Sequence, residues 1–259
     1  MSNESIHSAR VFESLHDLTG GTPMVRLRRV DAIDDSTEGA DEPESRRAVI
    51  WAKCEHLGPS GSLADRAARA MIDRAVTEGR LAAGATIVVP TSGNFGVAVA
   101  MACVSRGHRV VVAMPSTTSL ERRQLLEAFG AELVLTEPER QLDGAIAETD
   151  RLLAELEGAV RLSPFDDDAN VDAHEGTARE IVAALAQRDV ERVAAFVAGV
   201  GSGGTVSGVA NAFRSEKYSA FCDRIIAVEP ARSATISRGE RGPTKLQGLG
   251  VGFVPATYR

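Results

Sequence analysis

Short apolar runs alternate with longer amphipathic segments along most of this chain, and this alternation constrains the fold more than any other feature. The apolar runs have the length of strands and are rich in β-branched residues, as in TIVVP at 86–90 and ELVLT at 132–136. The segments between them have helical spacing, as in ADRAARAMIDRAVTEGRL at 64–81. The other strand-like runs are MVRLRRV (24–30), AVIWAKCE (48–55), HRVVVAMP (108–115), VAAFVAGV (193–200) and RIIAVEP (224–230). Because strands that alternate with helices are typical of βαβ units, we predict an α/β fold of open, mostly parallel sheets with helices on both faces.

The negative charge of the chain is concentrated in one segment. The chain has 29 Lys and Arg against 36 Asp and Glu, a net charge of −7, and residues 31–45 hold seven of the acids and no base. The remainder is balanced, so it has no basic face that would neutralise the phosphates of a nucleic acid. Nucleic acid is therefore disfavoured as a partner. The acidic segment has no hydrophobic periodicity and is expected to be an exposed loop.

Other features of the composition narrow the compartment and the kinds of site. No run approaches the ~20 apolar residues that a membrane helix needs, and the polar N-terminus lacks the apolar core of a signal peptide. The three cysteines, Cys54, Cys103 and Cys222, are far apart and form no CxxC or Cys/His cluster. We therefore expect a cytoplasmic protein with no membrane association, no disulfides and no metal site.

Two glycine-rich loops each follow a predicted strand and open a predicted helix: PTSGNFG at 90–96 and GVGSGGT at 199–205. Backbone N–H groups and the helix dipole favour an anion at such positions, at the sheet edge where ligands bind. The second loop also satisfies G-x-G-x-x-G, but Glu229, the acid that would bind a ribose, lies 30 residues after Gly199, later than the ~20 expected. These residues alone leave a dinucleotide and a phosphorylated cofactor such as pyridoxal phosphate both open.

Six ordered blocks of sequence resemble one known family. They are LTGGTPMVRL (18–27), GPSGSLADRAARAMI (58–72), PTSGNFGVAVA (90–100), MPSTTSLERRQLLEAFGAELVLT (114–136), FVAGVGSGGTVSGV (196–209) and KLQGLGVGFVP (245–255). Together they resemble the cysteine synthase/cystathionine β-synthase family of fold-type-II pyridoxal-phosphate enzymes, from about residue 12 onwards. The resemblance implies a two-domain, tryptophan-synthase-β-like fold. In it, residues 1–47 form an N-terminal arm and acidic loop, 48–159 a smaller domain, and 160–259 a large-domain part that we expect to be C-terminally incomplete.

The resemblance also implies which residues form the site. The phosphate of pyridoxal phosphate is expected on the loop formed by Gly201, Ser202, Gly203, Gly204 and Thr205. Asn94 is expected at the hydroxyl group of the cofactor ring, with Gly248 beside the cofactor. The residues expected to bind the substrate are Thr91, Ser92, Gly93 and Phe95.

The sequence departs from the family pattern at the residue on which the chemistry depends. The family reads P-x-G-S-x-K-D-R, in which the lysine bonds covalently to the cofactor and moves the α-proton, whereas this chain has Ala64 at the lysine position. A methyl group can neither form that bond nor take a proton. The only lysines, Lys53, Lys217 and Lys245, are not neighbours of this position in sequence. We predict that no catalytic residue is intact and that any cofactor binds non-covalently.

Further departures fall on the substrate side. Phe95 stands where the family has threonine and Pro164 where glutamine is common, so two hydrogen-bonding side chains are replaced. Asn170, His174 and Thr177 lie in a segment that resembles the family's NPANxxxH region, and we expect His174 to be a buried structural histidine.

Three functions follow as hypotheses. The first is pyridoxal-phosphate-dependent β-replacement or β-elimination on an O-activated serine-type amino acid, impaired in this chain. The second is a non-catalytic relative that binds a phosphate-bearing ligand or a partner protein. The third, a dinucleotide-binding domain, rests on the G-x-G-x-x-G match alone. The expected partners are a small amino-acid substrate or analogue and, by resemblance, a second copy of the chain.

Overall fold

The computed structural model of the chain describes residues 11–28, 48–91 and 93–259. The acidic segment at 31–45 and Ser92 lie outside the described residues. The described strands are β1 (Met24–Arg26), β2 (Trp51–Lys53), β3 (Thr86–Pro90), β4 (Arg109–Pro115), β5 (Glu132–Thr136), β6 (Val160–Arg161), β7 (Phe196–Gly199) and β8 (Ile225–Val228). The described α-helices are α1 (Ala64–Thr77), α2 (Asn94–Val104), α3 (Leu120–Ala128), α4 (Gln141–Glu155), α5 (Asp168–Ala186), α6 (Gly204–Arg214) and α7 (Thr235–Arg238).

Four parallel strands form the central sheet, in the order β5–β4–β3–β6. The two middle strands, β3 and β4, are buried along almost their whole length. Burial on both faces explains why these two segments are continuous apolar runs and not alternating ones. Helices α1 and α2 pack against one face of the sheet, and α4 packs against the other. The predicted α/β fold, with a parallel sheet and helices on both of its faces, is confirmed.

Two smaller sheets complete the described strands: β7 pairs with β8 in parallel, and β1 pairs with β2 antiparallel. Helices α5 and α6 cover one face of the β7–β8 pair through a core that includes Ile181, Val209 and Phe213. Met24 of β1 and Trp51 of β2 pack against this second core.

Two short strands therefore lie across the domain boundaries that we predicted. Strand β2, assigned to the smaller domain, packs with the second core, and β6, assigned to the large domain, pairs with β3 of the central sheet. These strands are three and two residues long, too short for a hydrophobic period to reveal their partners. The division into domains otherwise stays a prediction.

Side-chain caps set the start of two helices that carry site residues. The Ser119 hydroxyl accepts the N–H of Arg122 at 3.4 Å and begins α3, and the Asp167 carboxylate accepts the N–H of Ala169 at 2.8 Å and begins α5. Each cap satisfies a backbone donor that has no partner within its helix.

None of the helices within the described ranges has the length and apolar character of a membrane span. Across the same ranges, no group of three or more His, Cys, Asp or Glu side chains is arranged to hold a metal ion.

Candidate functional site

A cleft of about 350 Å³ opens where strands β3 and β7 end. The first residues of α1, α2 and α6 also line it, so three helix N-termini converge on one cavity. Its volume falls in the range of small-molecule sites, roughly 300–1,000 Å³. Its described lining consists of Ser62, Leu63, Ala64, Ala67, Pro90, Thr91, Gly93, Asn94, Phe95, Arg122, Leu142, Pro164, Phe165, Asn170, Gly199, Gly201, Ser202, Gly203, Thr205, Gln247, Gly248, Leu249 and Val251.

The Gly199–Thr205 loop presents unpaired main-chain donors to the cleft. The backbone N–H groups from Gly201 to Val206 have no acceptor among the described residues. Gly203 has a φ of +90°, which only glycine adopts without strain, and it turns the chain into α6. A Cβ atom on Gly201 would lie 2.2 Å from the carbonyl oxygen of Gly248, so only glycine allows these two segments to approach so closely. The loop thus has the form of an anion-binding nest at a helix N-terminus.

Buried side chains hold this loop from behind. The Asn170 side-chain amide donates to the Ser202 hydroxyl at 2.9 Å and to the Pro164 carbonyl at 2.7 Å, and the Thr257 hydroxyl donates to the Ser202 carbonyl. A Cβ atom on Gly204 would lie 2.3 Å from Asn170 Oδ1, so only glycine allows α6 to begin this close to Asn170. The loop geometry is therefore fixed by packing before any ligand arrives.

His174 belongs to the same support. Its Nε2 atom lies 3.2 Å from the Thr205 hydroxyl and its Nδ1 atom 3.1 Å from the Thr177 hydroxyl. Burial, aided by the positive charge of Arg66, lowers the pKa of His174 to about 4. The imidazole is therefore neutral at pH 7 and orients Thr205, in keeping with the structural role that we predicted.

The loop at 90–96, which follows β3, also lines the cleft. Thr91 is buried, and its hydroxyl accepts the N–H of Gly93 at 3.0 Å, which tightens the turn into α2. Asn94 is the first residue of α2 and lines the cleft with its side-chain amide exposed. These groups can bind a carboxylate or a ring substituent.

The electrostatics of the cleft favour an anion. Arg122 is the one charged side chain among the described residues that line it, and no acid lines it. Its guanidinium Nη2 lies 3.1 Å from Gln247 Oε1 and 3.5 Å from Asn94 Oδ1, so it spans the two sides of the mouth. A ligand with a phosphate monoester fits this charge distribution and the unpaired donors of the Gly199–Thr205 loop.

The wall around Ala64 is apolar. Ala64 and Phe95 are each 8% exposed, and Leu63, which is 42% exposed, also lines the cleft. The acid next in sequence, Asp65, points away, because its Oδ2 atom accepts the N–H of Ser60 at 3.0 Å. Among the described lining residues there is no amine, imidazole, thiol or carboxylate.

The buried lysine of the chain is held elsewhere. Lys53 Nζ lies 2.6 Å from Glu180 Oε2 and donates to Thr22 as well. Arg66 donates from Nε to Glu55 at 2.7 Å and from Nη2 to Glu180 at 2.7 Å. We call Lys53, Glu55, Arg66 and Glu180 the Arg66 cluster. Its ion pairs occupy Lys53, which does not line the cleft.

The other two lysines are exposed. Lys217 follows α6, with Nζ 5.2 Å from the ring centre of Tyr218, and Lys245 lies in the loop that leads to Gln247. Neither lines the cleft.

The cleft brings together most of the residues that we predicted for the site. Of these, Gly204 is not among the lining residues and Ser92 is outside the described residues, while the others line the cavity. The functional role of each stays a prediction. Sequence reasoning did not single out Arg122 or Gln247, because an arginine within ERRQ on a surface helix and an isolated glutamine carry no distinguishing pattern.

Glu229, the acid on which the dinucleotide hypothesis depends, is not among the residues that line the cleft. Glu229 ends outside the cleft, where its carboxylate accepts the N–H groups of Ile236 and Ser237, each at 2.9 Å. It caps the start of α7 and is not placed to bind a ribose beside Gly199.

Comparison with known proteins identifies the class of protein to which this fold belongs. Residues 15–259 match the family described as pyridoxal-phosphate dependent enzyme, and the chain belongs to this family. The predicted cofactor, pyridoxal phosphate, is thereby confirmed at the level of the family.

Within the family, the chain is cysteine synthase-like. It is 42% identical over 245 residues to a cysteine synthase of Staphylococcus aureus, a match that covers 95% of this chain and 73% of that protein. It superimposes on the crystal structure of a cysteine synthase from Entamoeba histolytica with a TM-score of 0.85 and 35% identity, over 100% of this chain and 72% of that one. It is also similar to a lysine-to-alanine mutant of O-ureido-L-serine synthase with O-ureido-L-serine bound, with a TM-score of 0.82 and 38% identity, over 95% and 71% of the two chains.

Proposed function

We propose that this protein binds pyridoxal phosphate non-covalently in the cleft and that it is impaired in the β-replacement chemistry of the cysteine synthases. One observation carries the proposal: the described lining combines an anion-binding loop with a wall at Ala64 that offers no nucleophile and no base. The first feature supports binding of the cofactor, and the second supports the loss of the reaction.

Different residues of the cleft would bind the cofactor and the amino-acid substrate. The backbone donors of the Gly199–Thr205 loop would hold the phosphate, and Asn94 at the start of α2 would hydrogen-bond to a substituent of the ring. Thr91 and Gly93, which also line the cleft, would bind the carboxylate of an amino acid. When bound, pyridoxal phosphate supplies an electron sink for a carbanion next to the amino group of a substrate.

The missing step is proton transfer at the α-carbon. Such a step needs a side chain whose pKa allows it to take a proton near neutral pH. The Ala64 methyl group has no lone pair, and no amine, imidazole or carboxylate side chain is found among the described residues of the lining. Asp65 is turned towards Ser60. The described lining therefore offers no replacement for the lysine.

The departures on the substrate side support a binding role over a merely inactivated enzyme. Phe95 and Pro164 are both buried and line the cleft, and neither side chain can hydrogen-bond to a substrate carboxylate. The lysine-to-alanine mutant of O-ureido-L-serine synthase binds its amino acid. A relative without one of its lysines thus retains a ligand, which supports binding without reaction here.

The proposal is tested by trapping any covalent bond to the cofactor. We expect the native protein, mixed with pyridoxal phosphate, to show no visible absorbance of a lysine imine before reduction and no mass increase after reduction with borohydride. Ala64→Lys is expected to gain one adduct on the introduced lysine. Lys245→Ala serves as the control, because it removes the exposed lysine nearest to the cleft in sequence and leaves the lining unchanged.

The possible results of this experiment have different consequences for the proposal. An adduct on Lys53 or Lys245 of the native protein would contradict the proposal, as would binding too weak to detect by calorimetry. If Ala64→Lys also regains β-replacement of O-acetylserine by sulfide, the rest of the machinery is intact. If it binds the cofactor covalently and stays inactive, Phe95 and Pro164 have removed substrate binding as well.

A further inference from the structure

The polar groups of the cleft are unevenly distributed. The unpaired main-chain donors lie on the Gly199–Thr205 loop, and Thr91 and Asn94 supply side-chain hydrogen-bonding groups at the other end. The wall at Leu63, Ala64 and Phe95 presents only carbon from its side chains, and beside it Ser62 lines the cleft with a neutral hydroxyl whose oxygen accepts the N–H of Ala64 at 3.3 Å. A ligand anchored by its phosphate is thus recognised at its ends and meets hydrocarbon at Ala64.

That wall cannot distinguish two neutral groups of similar size. In an enzyme with a lysine at this position, an aldehyde gains a covalent bond that an alcohol cannot make, so the aldehyde is strongly preferred. Here the described wall offers no amine, and the adjacent Ser62 hydroxyl can donate a hydrogen bond to the oxygen of either an aldehyde or an alcohol. Neither form gains free energy of binding over the other at this point.

The wall does distinguish a cation. No acid is found among the described residues of the lining, and its one formal charge, Arg122, is positive. An ammonium group placed against Leu63, Ala64 and Phe95 would lose hydration without gaining a counter-ion from the protein, which is costly.

We infer that the cleft is a site for neutral phosphorylated pyridines, which takes the aldehyde pyridoxal phosphate and the alcohol pyridoxine phosphate alike and disfavours the amine pyridoxamine phosphate. The inference rests on the proposed non-covalent binding and extends it to a class of ligand. The selection is made by the phosphate loop, the ring edge and the apolar wall, and not by reactivity.

The test is titration calorimetry of the full chain with the three phosphorylated pyridines and with inorganic phosphate. We expect the dissociation constants of the aldehyde and the alcohol to agree within about threefold, and the amine to bind at least about fivefold more weakly, a difference of ~1 kcal/mol. Inorganic phosphate is expected to compete with all three, which locates them on the loop.

Two substitutions of Ala64 should change the relative affinities of the three ligands, each in favour of a different one. Ala64→Lys is expected to favour the aldehyde over the alcohol by more than about tenfold, since only the aldehyde can bond to the new amine. Ala64→Asp, at the first turn of α1 where an acid is tolerated, is expected to raise the affinity for the amine relative to the alcohol. Thr205→Val, on the phosphate loop, should weaken all three ligands by a similar factor. Circular dichroism of each variant checks the fold.

The order of the three dissociation constants in the native protein tests the inference without any variant. A tenfold or greater preference for the aldehyde over the alcohol would overturn the inference but leave non-covalent binding intact if borohydride traps no adduct. Equal affinity for the amine and the alcohol would overturn it too. If none of the three ligands binds, the proposed function itself fails.

Discussion

At the scale of single residues, His174 links the chemistry of a buried side chain to the stability of the phosphate loop. It is 1% exposed, and both ring nitrogens lie within hydrogen-bonding distance of a threonine hydroxyl, one of them on the loop. Because burial holds its pKa near 4, the folded protein resists protonation of a group that the unfolded chain protonates near pH 6.5. The unfolded state therefore binds more protons between these two values, and stability must fall as the pH falls.

We expect the free energy of unfolding to decrease by about 2 kcal/mol between pH 6.5 and pH 5 on account of His174, at up to ~1.4 kcal/mol per pH unit. His174→Gln should lose that part of the slope, whatever its effect at pH 7. Urea unfolding at several pH values measures it. His56→Gln, at an exposed histidine, is the control and should keep the slope of the native protein. Burial also lowers the pKa of His16, so some slope will persist in both variants. An unchanged slope in His174→Gln would contradict the prediction.

The sequence identified single residues well where the residue type itself carries the physics. The glycines of the Gly199–Thr205 loop are recognisable because a side chain at Gly201 or Gly204 would collide with a neighbouring segment, whereas the effect of Ala64 on the reaction stays a prediction. Arg122 was not recognisable, since its place at the cleft depends on the packing of α3 against the mouth. The fate of Lys53 was likewise fixed by partners distant in the chain, Thr22 and Glu180.

At the scale of elements, the contact between α5 and α6 positions the phosphate loop. Gly208 lets the two helices approach, because a Cβ atom there would lie 2.1 Å from the carbonyl oxygen of Val171 and 2.7 Å from the Cβ of His174. Both contacts are on α5, the helix that also carries Asn170. The spacing of these helices therefore sets the geometry of the loop at the start of α6.

Gly208→Ala is expected to push α6 away from α5 and to lower the free energy of unfolding by roughly 1–3 kcal/mol, with weaker phosphate binding. Gly176→Ala is the matched control. It adds the same methyl group to α5, where the nearest atom would be the end of the Arg179 side chain at 3.8 Å, and should stabilise the protein by up to about 1 kcal/mol. Thermal unfolding and phosphate titration of both variants measure the effects. Equal stability of the two variants would contradict this account.

The sequence predicted the bounds of the strands of five or more residues better than those of the two- and three-residue strands. The strands at 86–90 and 132–136 have the predicted bounds, because an apolar run between turn residues has one plausible extent. Strand β6 was missed, and the run at 48–55 shrinks to three paired residues, since pairing in both depends on a partner and not on local pattern.

At the scale of the whole molecule, the Arg66 cluster joins segments far apart in sequence. Glu180 of α5 accepts hydrogen bonds from Arg66 of α1, Lys53 of β2 and the N–H of Gly21. Burial raises the pKa of Glu180, but the hydrogen bonds from Arg66 and Lys53 outweigh burial and lower it to about 2. The cluster thus ties α1, which packs in the first core, to α5 and β2 of the second.

Glu180→Gln should lower the free energy of unfolding at pH 7 by about 3 kcal/mol, because it leaves Lys53 and Arg66 to share the single carboxylate of Glu55. The carboxylate is stabilising above pH 4.5, its unfolded value, and that contribution is lost as the pH falls towards 2, so the variant and the native protein should converge there. Glu132→Gln, which breaks an exposed ion pair with Arg109, is the control and should cost less than about 1 kcal/mol. A similar cost for both variants would show that the cluster does not hold the molecule together.

The phosphate loop has a consequence for how such a chain can change over time. Its donors are main-chain N–H groups, which every residue except proline possesses, so no substitution at position 64 can remove them. Holding the ligand and transforming it are therefore separately mutable traits in this fold. A single substitution at position 64 can therefore abolish catalysis in a protein of this fold and leave the anion-binding loop unchanged. Selection can then act on the affinity for the ligand alone.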